Sequence, residues 1–206
     1  MRTVLIIIVF TGIHFFVCAQ NQEKISFGLG AGLDISNVNY QAPVGTANTY
    51  SVNGFRSYVF VDLPVGDNLF VQPELAYDGM GWQYLDDSIH AAGQSGYVKT
   101  SMNYLTFAML PKYKMGKTGL AIYVGAAYGF LLNATLKGFG SETYNNKSSY
   151  NDGILEWIGG AEYYLPIGLG ISARYTGGIS NLLYGVVTGV TMHNYSLSIS
   201  AEYKFK

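Results

Sequence analysis

The chain has 206 residues, enough for one domain, with only 12% charged residues and a formal net charge of −1. This balance excludes the basic surface typical of nucleic-acid-binding proteins, and the single cysteine, Cys18, excludes an internal disulfide. Aromatic residues reach 15%, and tyrosine and glycine occupy 18 and 26 positions. Low charge with many tyrosines and glycines is unusual for a soluble enzyme and is typical of a β-sheet with one face in lipid.

The N-terminal segment has the pattern of a cleaved signal peptide. Arg2 precedes the apolar residues 4–17, and Cys18-Ala19 is followed at once by polar residues. We therefore expect cleavage after Ala19, with residues 1–19 removed and residues 20–206 forming the domain. Two alternatives are an uncleaved anchor, for which the apolar run is short, and a lipoprotein attached through Cys18, which lacks a small residue just before the cysteine.

The rest of the chain alternates apolar and polar residues with period two, the pattern of a β-strand. The C-terminal segment shows it most clearly, because Tyr195, Leu197 and Ile199 alternate with serines. Such a strand has one apolar and one polar face. The pattern predicts eight strands, at residues 25–35, 55–63, 69–78, 105–114, 120–132, 155–165, 169–176 and 194–205.

The connections between these strands are short and long in turn. Residues 64–68, 115–118 and 166–168 are short turns, whereas residues 36–53, 80–97, 137–153 and 180–192 are long and polar. This alternation is typical of outer-membrane barrels, in which closure leaves no open sheet edge in lipid. We therefore predict an all-β fold, an eight-stranded antiparallel up-and-down transmembrane β-barrel. The rival is a soluble lipocalin-like barrel or sandwich, whose core the small and charged residues of the polar face would fill poorly.

Several segments resemble a known family. Residues 71–81, VQPELAYDGMG, resemble the "QPEL-Y-G" segment of the outer-membrane β-barrel domain of Bacteroidetes, the group that includes PorT-type proteins, and residues 63–68, LPVGDN, resemble its first short turn. Residues 104–114, YLTFAMLPKYK, resemble its fourth strand, with Thr106 in place of the expected Glu and with Pro111 later than usual. The resemblance covers roughly residues 20–206 and implies an outer-membrane barrel, with secretion and gliding as the roles of PorT-type members.

Charged residues on the polar faces form the main candidate site. Because an eight-stranded barrel is filled by its own side chains, these charges must pair inside it. The predicted charge network of the lumen comprises Arg56, Asp62, Glu74, Asp78, Lys112, Glu156, Glu162, Arg174 and Glu202. Within it we expect Arg56 and Arg174 to pair with Glu74, Glu156 or Glu162. The alternative role for these residues is a path for protons or ions.

Aromatic residues near the predicted strand ends form a second candidate set. Amphipathic rings belong at the two membrane interfaces. The predicted aromatic girdle comprises Tyr77, Tyr104, Tyr113, Trp157, Tyr163, Tyr195, Tyr203 and Phe205. The terminal Tyr203-Lys204-Phe205 also resembles the aromatic signal that the barrel assembly machinery recognises.

No catalytic, cofactor or metal site is predicted. His90 lies in a loop with Asp87 and Ser88, and His193 begins the last strand, so we interpret both as solvated histidines rather than members of a rim active site. Glu156 and Glu162 are six positions apart on one strand, roughly 20 Å, too far to act on one glycosidic bond.

The sequence thus predicts a non-enzymatic protein of the Gram-negative outer membrane. Its filled lumen leaves the extracellular loops to interact with the envelope or a protein partner. The alternative is a PorT-type secretion accessory or a narrow transport barrel. Expected partners are outer-membrane lipid and, during biogenesis, the barrel assembly machinery.

Overall fold

The computed structural model describes residues 24–43, 48–86, 96–138, 143–185 and 189–205. The signal-peptide prediction and His90 lie outside these residues. The strands are β1 (Ser26–Gln41), β2 (Thr49–Pro64), β3 (Leu69–Asp86), β4 (Gly96–Lys114), β5 (Leu120–Lys137), β6 (Thr143–Asn145), β7 (Gly153–Tyr164), β8 (Leu169–Gly178) and β9 (Thr191–Phe205).

Eight of these strands close into one antiparallel ring. Strands that follow one another in the chain pair with each other, except that β5 pairs with β7. The ring closes where β9 pairs with β1, along residues 191–205 and 27–41. The short β6 adds to the far end of β5 and takes no part in closure. The predicted eight-stranded up-and-down barrel is therefore confirmed, and closure satisfies the backbone groups that lipid cannot.

The faces of the barrel follow the alternation in the sequence. In β9, every second residue from Tyr195 to Phe205 is exposed, and the serines and Glu202 between them are buried. The other barrel strands behave alike, so the outer wall is apolar and the interior, or lumen, is polar. A soluble barrel would have the opposite arrangement. Among the described residues, no helix is long and apolar enough to cross a membrane.

Short turns join the strands at one end of the barrel. They span residues 65–68, 115–119 and 165–168, and Gly116, Gly119 and Gly168 adopt positive φ there. The connections at the other end are longer. In outer-membrane barrels short turns are periplasmic and long loops extracellular, which gives this barrel its orientation.

The strands continue further on the extracellular side than the sequence predicted. Residues 36–41, 49–53, 80–86 and 96–97 were expected in loops but belong to β1–β4. The difference has a physical reason, since beyond the lipid the outer face no longer needs apolar residues and the alternation disappears. Strand hydrogen bonding continues without it.

Candidate functional site: the filled lumen and its cap

A central network of four charges crosses the middle of the lumen. Glu74 on β3 accepts hydrogen bonds from Arg174 Nη1 and Nη2 on β8, at 2.8 and 2.7 Å. Arg56 on β2 donates to Glu74 and to Asp78. All four side chains are at most 5% exposed. Since β3 and β8 lie four strands apart in the ring of eight, this network spans the full width of the barrel.

A lower network of four charges lies nearer the periplasmic turns. Lys112 Nζ on β4 donates to Asp62 Oδ1 at 2.8 Å and to Glu162 Oε1 at 2.7 Å. Lys204 on β9 lies 2.6 Å from Asp62 Oδ2. Asp62 on β2 and Glu162 on β7 also face each other across the ring. Two cations thus balance two carboxylates, as they do in the central network.

Three other buried carboxylates are held by neutral donors. Glu202 accepts hydrogen bonds from the hydroxyls of Tyr58 and Tyr164. Glu156 accepts from Asn194 Nδ2, and Asp34 accepts from Ser198 Oγ. Each carboxylate is at most 3% exposed. Hydrogen bonds from neutral groups therefore take the place of cations for these three acids.

The structure places all nine residues of the predicted charge network inside the lumen, each at most 4% exposed. It brings Arg56 and Arg174 together on one partner, Glu74, and adds Asp78, which was not among the expected partners. The other two expected partners have different contacts, because Glu156 meets Asn194 and Glu162 meets Lys112.

Tyrosine rings fill the space around the arginines. The Arg174 guanidinium lies 5.2 Å from the ring centre of Tyr123 and 5.6 Å from that of Tyr58, and Arg56 lies 4.9 Å from Tyr58. Such contacts stabilise a buried guanidinium. Sequence reasoning overlooked Tyr58 and Tyr123 as lumen residues, although both occupy the inward parity of their strands.

Seven of the eight predicted girdle residues lie on the outer wall, between 36% and 48% exposed. Trp157 and Tyr175 pack with ring centres 5.2 Å apart toward the extracellular side, and Tyr203 and Phe205 pack at 5.1 Å near the periplasmic side. The assignment of Tyr104 to the girdle is wrong. Its side chain is 1% exposed inside the barrel, because it shares parity with inward Thr106 and not with outward Leu105.

An apolar cap closes the extracellular end of the lumen. It consists of Val38, Met80, Trp82, Met102, Tyr104, Leu131, Ala134, Tyr150, Ile154, Leu182 and Met192. Leu182 comes from the connection between β8 and β9 and is 1% exposed. Burial raises the pKa of the Tyr150 phenol and so favours its neutral form.

Hydrogen bonds to backbone carbonyls hold this cap in place. Asn151 donates its backbone N–H to Leu182 and its side-chain amide to the carbonyls of Asn181 and Leu183, at 2.8–2.9 Å. Tyr184 N–H donates to Ser149. Two extracellular connections are thereby joined over the lumen. Neither connection has strand periodicity, so local pattern could not predict their part in the cap.

Empty space is distributed unevenly along the barrel axis. A cavity beside Tyr104 and Leu182 measures only about 10 Å³, no more than one water can occupy. A cavity of about 530 Å³ lies at the periplasmic end and is lined by Lys114, Lys204 and Glu162 among others. This cavity ends at the lower network, whose ion pairs are the first barrier met from the periplasmic side.

The described histidine, His193, is the third residue of β9 and has an outward side-chain parity. Within the described ranges no three histidine, cysteine, aspartate or glutamate side chains form a group able to hold a metal ion. The buried carboxylates have partners inside the lumen, and of these acids Glu162 also lines the periplasmic cavity.

The family model described as "Outer membrane protein beta-barrel domain" matches residues 18–184. The chain belongs to this family. Family and fold together place it in the Gram-negative outer membrane. A search of the curated proteins found no match.

Solved structures show the same fold. Neisserial surface protein A (NspA) matches with a TM-score of 0.56 at 15% identity, over 89% of this chain and 100% of that one. Ail of Yersinia pestis matches at 16% identity over 89% and 100% of the two chains, with a TM-score of 0.49. OprG of Pseudomonas aeruginosa matches at 12% identity over 90% and 98%, with a TM-score of 0.47. At these identities the likeness concerns the fold alone. The fold comparison rests on NspA, whose TM-score is above 0.5.

Proposed function

We propose that this protein is a non-enzymatic barrel with a closed lumen, which presents its extracellular connections to the envelope or to a protein partner. The observation that carries the proposal is the bracing of opposite walls by Glu74 and Arg174. A continuous water path would need space where these side chains meet.

Three successive barriers support closure. From the periplasmic side they are the lower network around Lys112, the central network around Glu74, and the apolar cap around Leu182. Opening the two charge networks would separate buried ion pairs, at a cost of about 3–5 kcal/mol for each broken pair. Opening the cap would expose apolar side chains to water.

The extracellular end offers a surface suited to a protein partner. Tyr184 is 70% exposed, Tyr144 55% and Ile179 52%. The hydrogen bonds between residues 149–151 and 181–184 hold the connections around them in one arrangement. Preorganised aromatic side chains suit protein recognition, because little conformational entropy is lost on binding.

Solute uptake by liposomes tests closure. Liposomes carrying the purified barrel should swell in an isotonic solution of a small sugar no faster than protein-free liposomes. Swelling that rises with the amount of barrel would contradict a closed lumen.

Photo-crosslinking in intact outer membranes tests presentation. A photoreactive residue replacing Tyr184 should give a defined protein adduct, whereas one replacing Lys117 in a periplasmic turn should not. Adducts from position 117 alone would favour the second candidate, a PorT-type secretion accessory. The periplasmic cavity of about 530 Å³ is the observation that favours that candidate.

A further inference from the structure

Two lysines depart from the pattern in which charged side chains point into the barrel. Among the charged side chains that the structure describes in the eight barrel strands, only Lys99 on β4 and Lys137 on β5 point outward. Lys99 lies between the buried Val98 and Thr100, and Lys137 is exposed. Among the described strand residues, the rest of the outer wall carries no charge.

The two lysines are direct cross-strand partners. Lys99 pairs with Lys137 in the β4–β5 register, which sets their Cβ atoms about 4.5–5.5 Å apart on one face. Like charges directly opposite each other destabilise a sheet. Within the described residues no ion pair joins either lysine to an acid, and no described acidic side chain of β2–β5 shares their face. No described acid therefore neutralises the pair, and a bound anion would do so.

A groove runs along the outer wall from Lys99 toward the lipid. It measures about 190 Å³. Its polar lining comes from Asn53 on β2 and from Ser101 and Asn103 on β4. Gly54 and Gly79 also line it, and their backbones approach so closely that a side chain on Gly54 would strike the Gly79 carbonyl. Gly79 presents no side chain between Phe55 and Asn103, and this leaves the groove open.

The level of the groove is the boundary between lipid and water. Its lower end is formed by Phe55 and Tyr77, which are 53% and 40% exposed on the outer wall. Lys99 lies six positions beyond the apolar Leu105 on β4, about 15 Å along the axis of a tilted strand. Along β4, the amide of Asn103, the hydroxyl of Ser101 and the ammonium of Lys99 follow one another above the apolar wall, so neutral polar groups precede the charge, as expected for a lipid headgroup.

We propose that the groove and the lysine pair bind the phosphate-bearing headgroup of an outer-leaflet glycolipid. The ammonium groups of Lys99 and Lys137 pair with phosphate. The side chains of Asn53, Ser101 and Asn103 hydrogen-bond sugar hydroxyls, and the acyl chains lie on the apolar wall below Tyr77. Charge-assisted hydrogen bonds to phosphate are stronger than neutral ones, and binding removes the repulsion within the pair. This site lies outside the lumen and does not depend on its closure.

Lipopolysaccharide binding by the purified barrel in detergent tests the site. Lys99→Gln with Lys137→Gln should weaken binding of a purified, phosphorylated lipopolysaccharide by roughly tenfold. The matched control is Lys117→Gln with Lys147→Gln, which removes the same charge from one exposed and one partly exposed site away from the groove and should leave affinity within about twofold. Wild-type protein should lose a similar factor against the same lipid after its phosphates are removed.

A second variant separates binding from folding. Lys99→Glu places opposite charges across β4 and β5, so thermal stability should hold or rise while lipid binding is lost. Equal losses in the double variant and its control would overturn the proposal, and so would unchanged binding of dephosphorylated lipid. Full competition by millimolar inorganic phosphate would also overturn it, since the site would then recognise free phosphate and not the glycolipid.

Discussion

Glu74 and Arg174 lie 100 positions apart in the chain and meet in the centre of the lumen through two hydrogen bonds of 2.7 and 2.8 Å. Glu74 stands on β3 and Arg174 on the opposite strand, β8. Their pairing joins opposite walls of the barrel and fills the middle of the lumen. The closed lumen in turn supports the proposed role of the extracellular connections.

Two isosteric substitutions of buried glutamates should differ sharply in effect. Glu74→Gln leaves Arg56 and Arg174 without their shared carboxylate and should cost about 3–5 kcal/mol of unfolding free energy. Glu156→Gln, whose hydrogen bond comes from neutral Asn194, should change it by less than about 1 kcal/mol. Urea unfolding in lipid vesicles, followed by tryptophan fluorescence, measures both. Equal losses would show that Glu74 has no special bracing role.

A methyl group at Gly54 should disturb the register between β2 and β3. The register shifts between Ser51 and Arg56, and a Cβ on Gly54 would overlap the Gly79 carbonyl oxygen. Gly54→Ala should therefore cost about 1–3 kcal/mol. Gly138→Ala is the control, because nothing lies within 4 Å of its added Cβ. The fraction that folds into vesicles, read from heat-modifiable gel mobility, should fall for the first variant only.

A charge at the middle of the outer wall should hinder membrane insertion. Ile199 is 63% exposed halfway along the apolar face of β9. Ile199→Arg should cost about 2–4 kcal/mol, and Tyr195→Arg, nearer the interface, only about 0–1 kcal/mol. Folding free energies in vesicles measure the difference. Equal tolerance at both positions would contradict the lipid-facing assignment of β9.

Shortening Leu182 should loosen the cap without unfolding the barrel. Leu182→Ala removes buried apolar contacts, at a local cost of about 2–5 kcal/mol. Hydrogen exchange of the Asn151 and Tyr184 amides should accelerate roughly thirtyfold or more, while exchange in β9 stays unchanged. The control Ile179→Ala, at a 52% exposed position, should have little effect. Uniform acceleration in both variants would argue against a separate cap.

Sequence alternation predicted the fold where one face of a strand touches lipid. The apolar residues of β9 carry that signal from Tyr195 to Phe205. The signal disappears above the lipid, where Ser51 and Asn53 of β2 point outward, and the extracellular ends of β1–β4 were therefore expected in loops. Local alternation also could not reveal β6, which has three residues.

Strand parity places each charge on a face but does not give its partner. Partners across the lumen depend on barrel closure and register, which bring Glu74 to Arg174 and Asp62 to Lys112. Neither quantity can be read from local pattern. Applied strictly, the same parity would have kept Tyr104 out of the girdle. Leu182 had no usable signal, because connections lack a period.

Single-channel recording in a planar lipid bilayer tests the closed lumen most directly. The purified wild-type barrel should insert without resolvable conductance steps. A folded variant with Arg56, Glu74 and Arg174 all replaced by alanine should also show no steps, because the lower network and the apolar cap still close the lumen. Stable conductance steps from the wild-type protein would contradict the account.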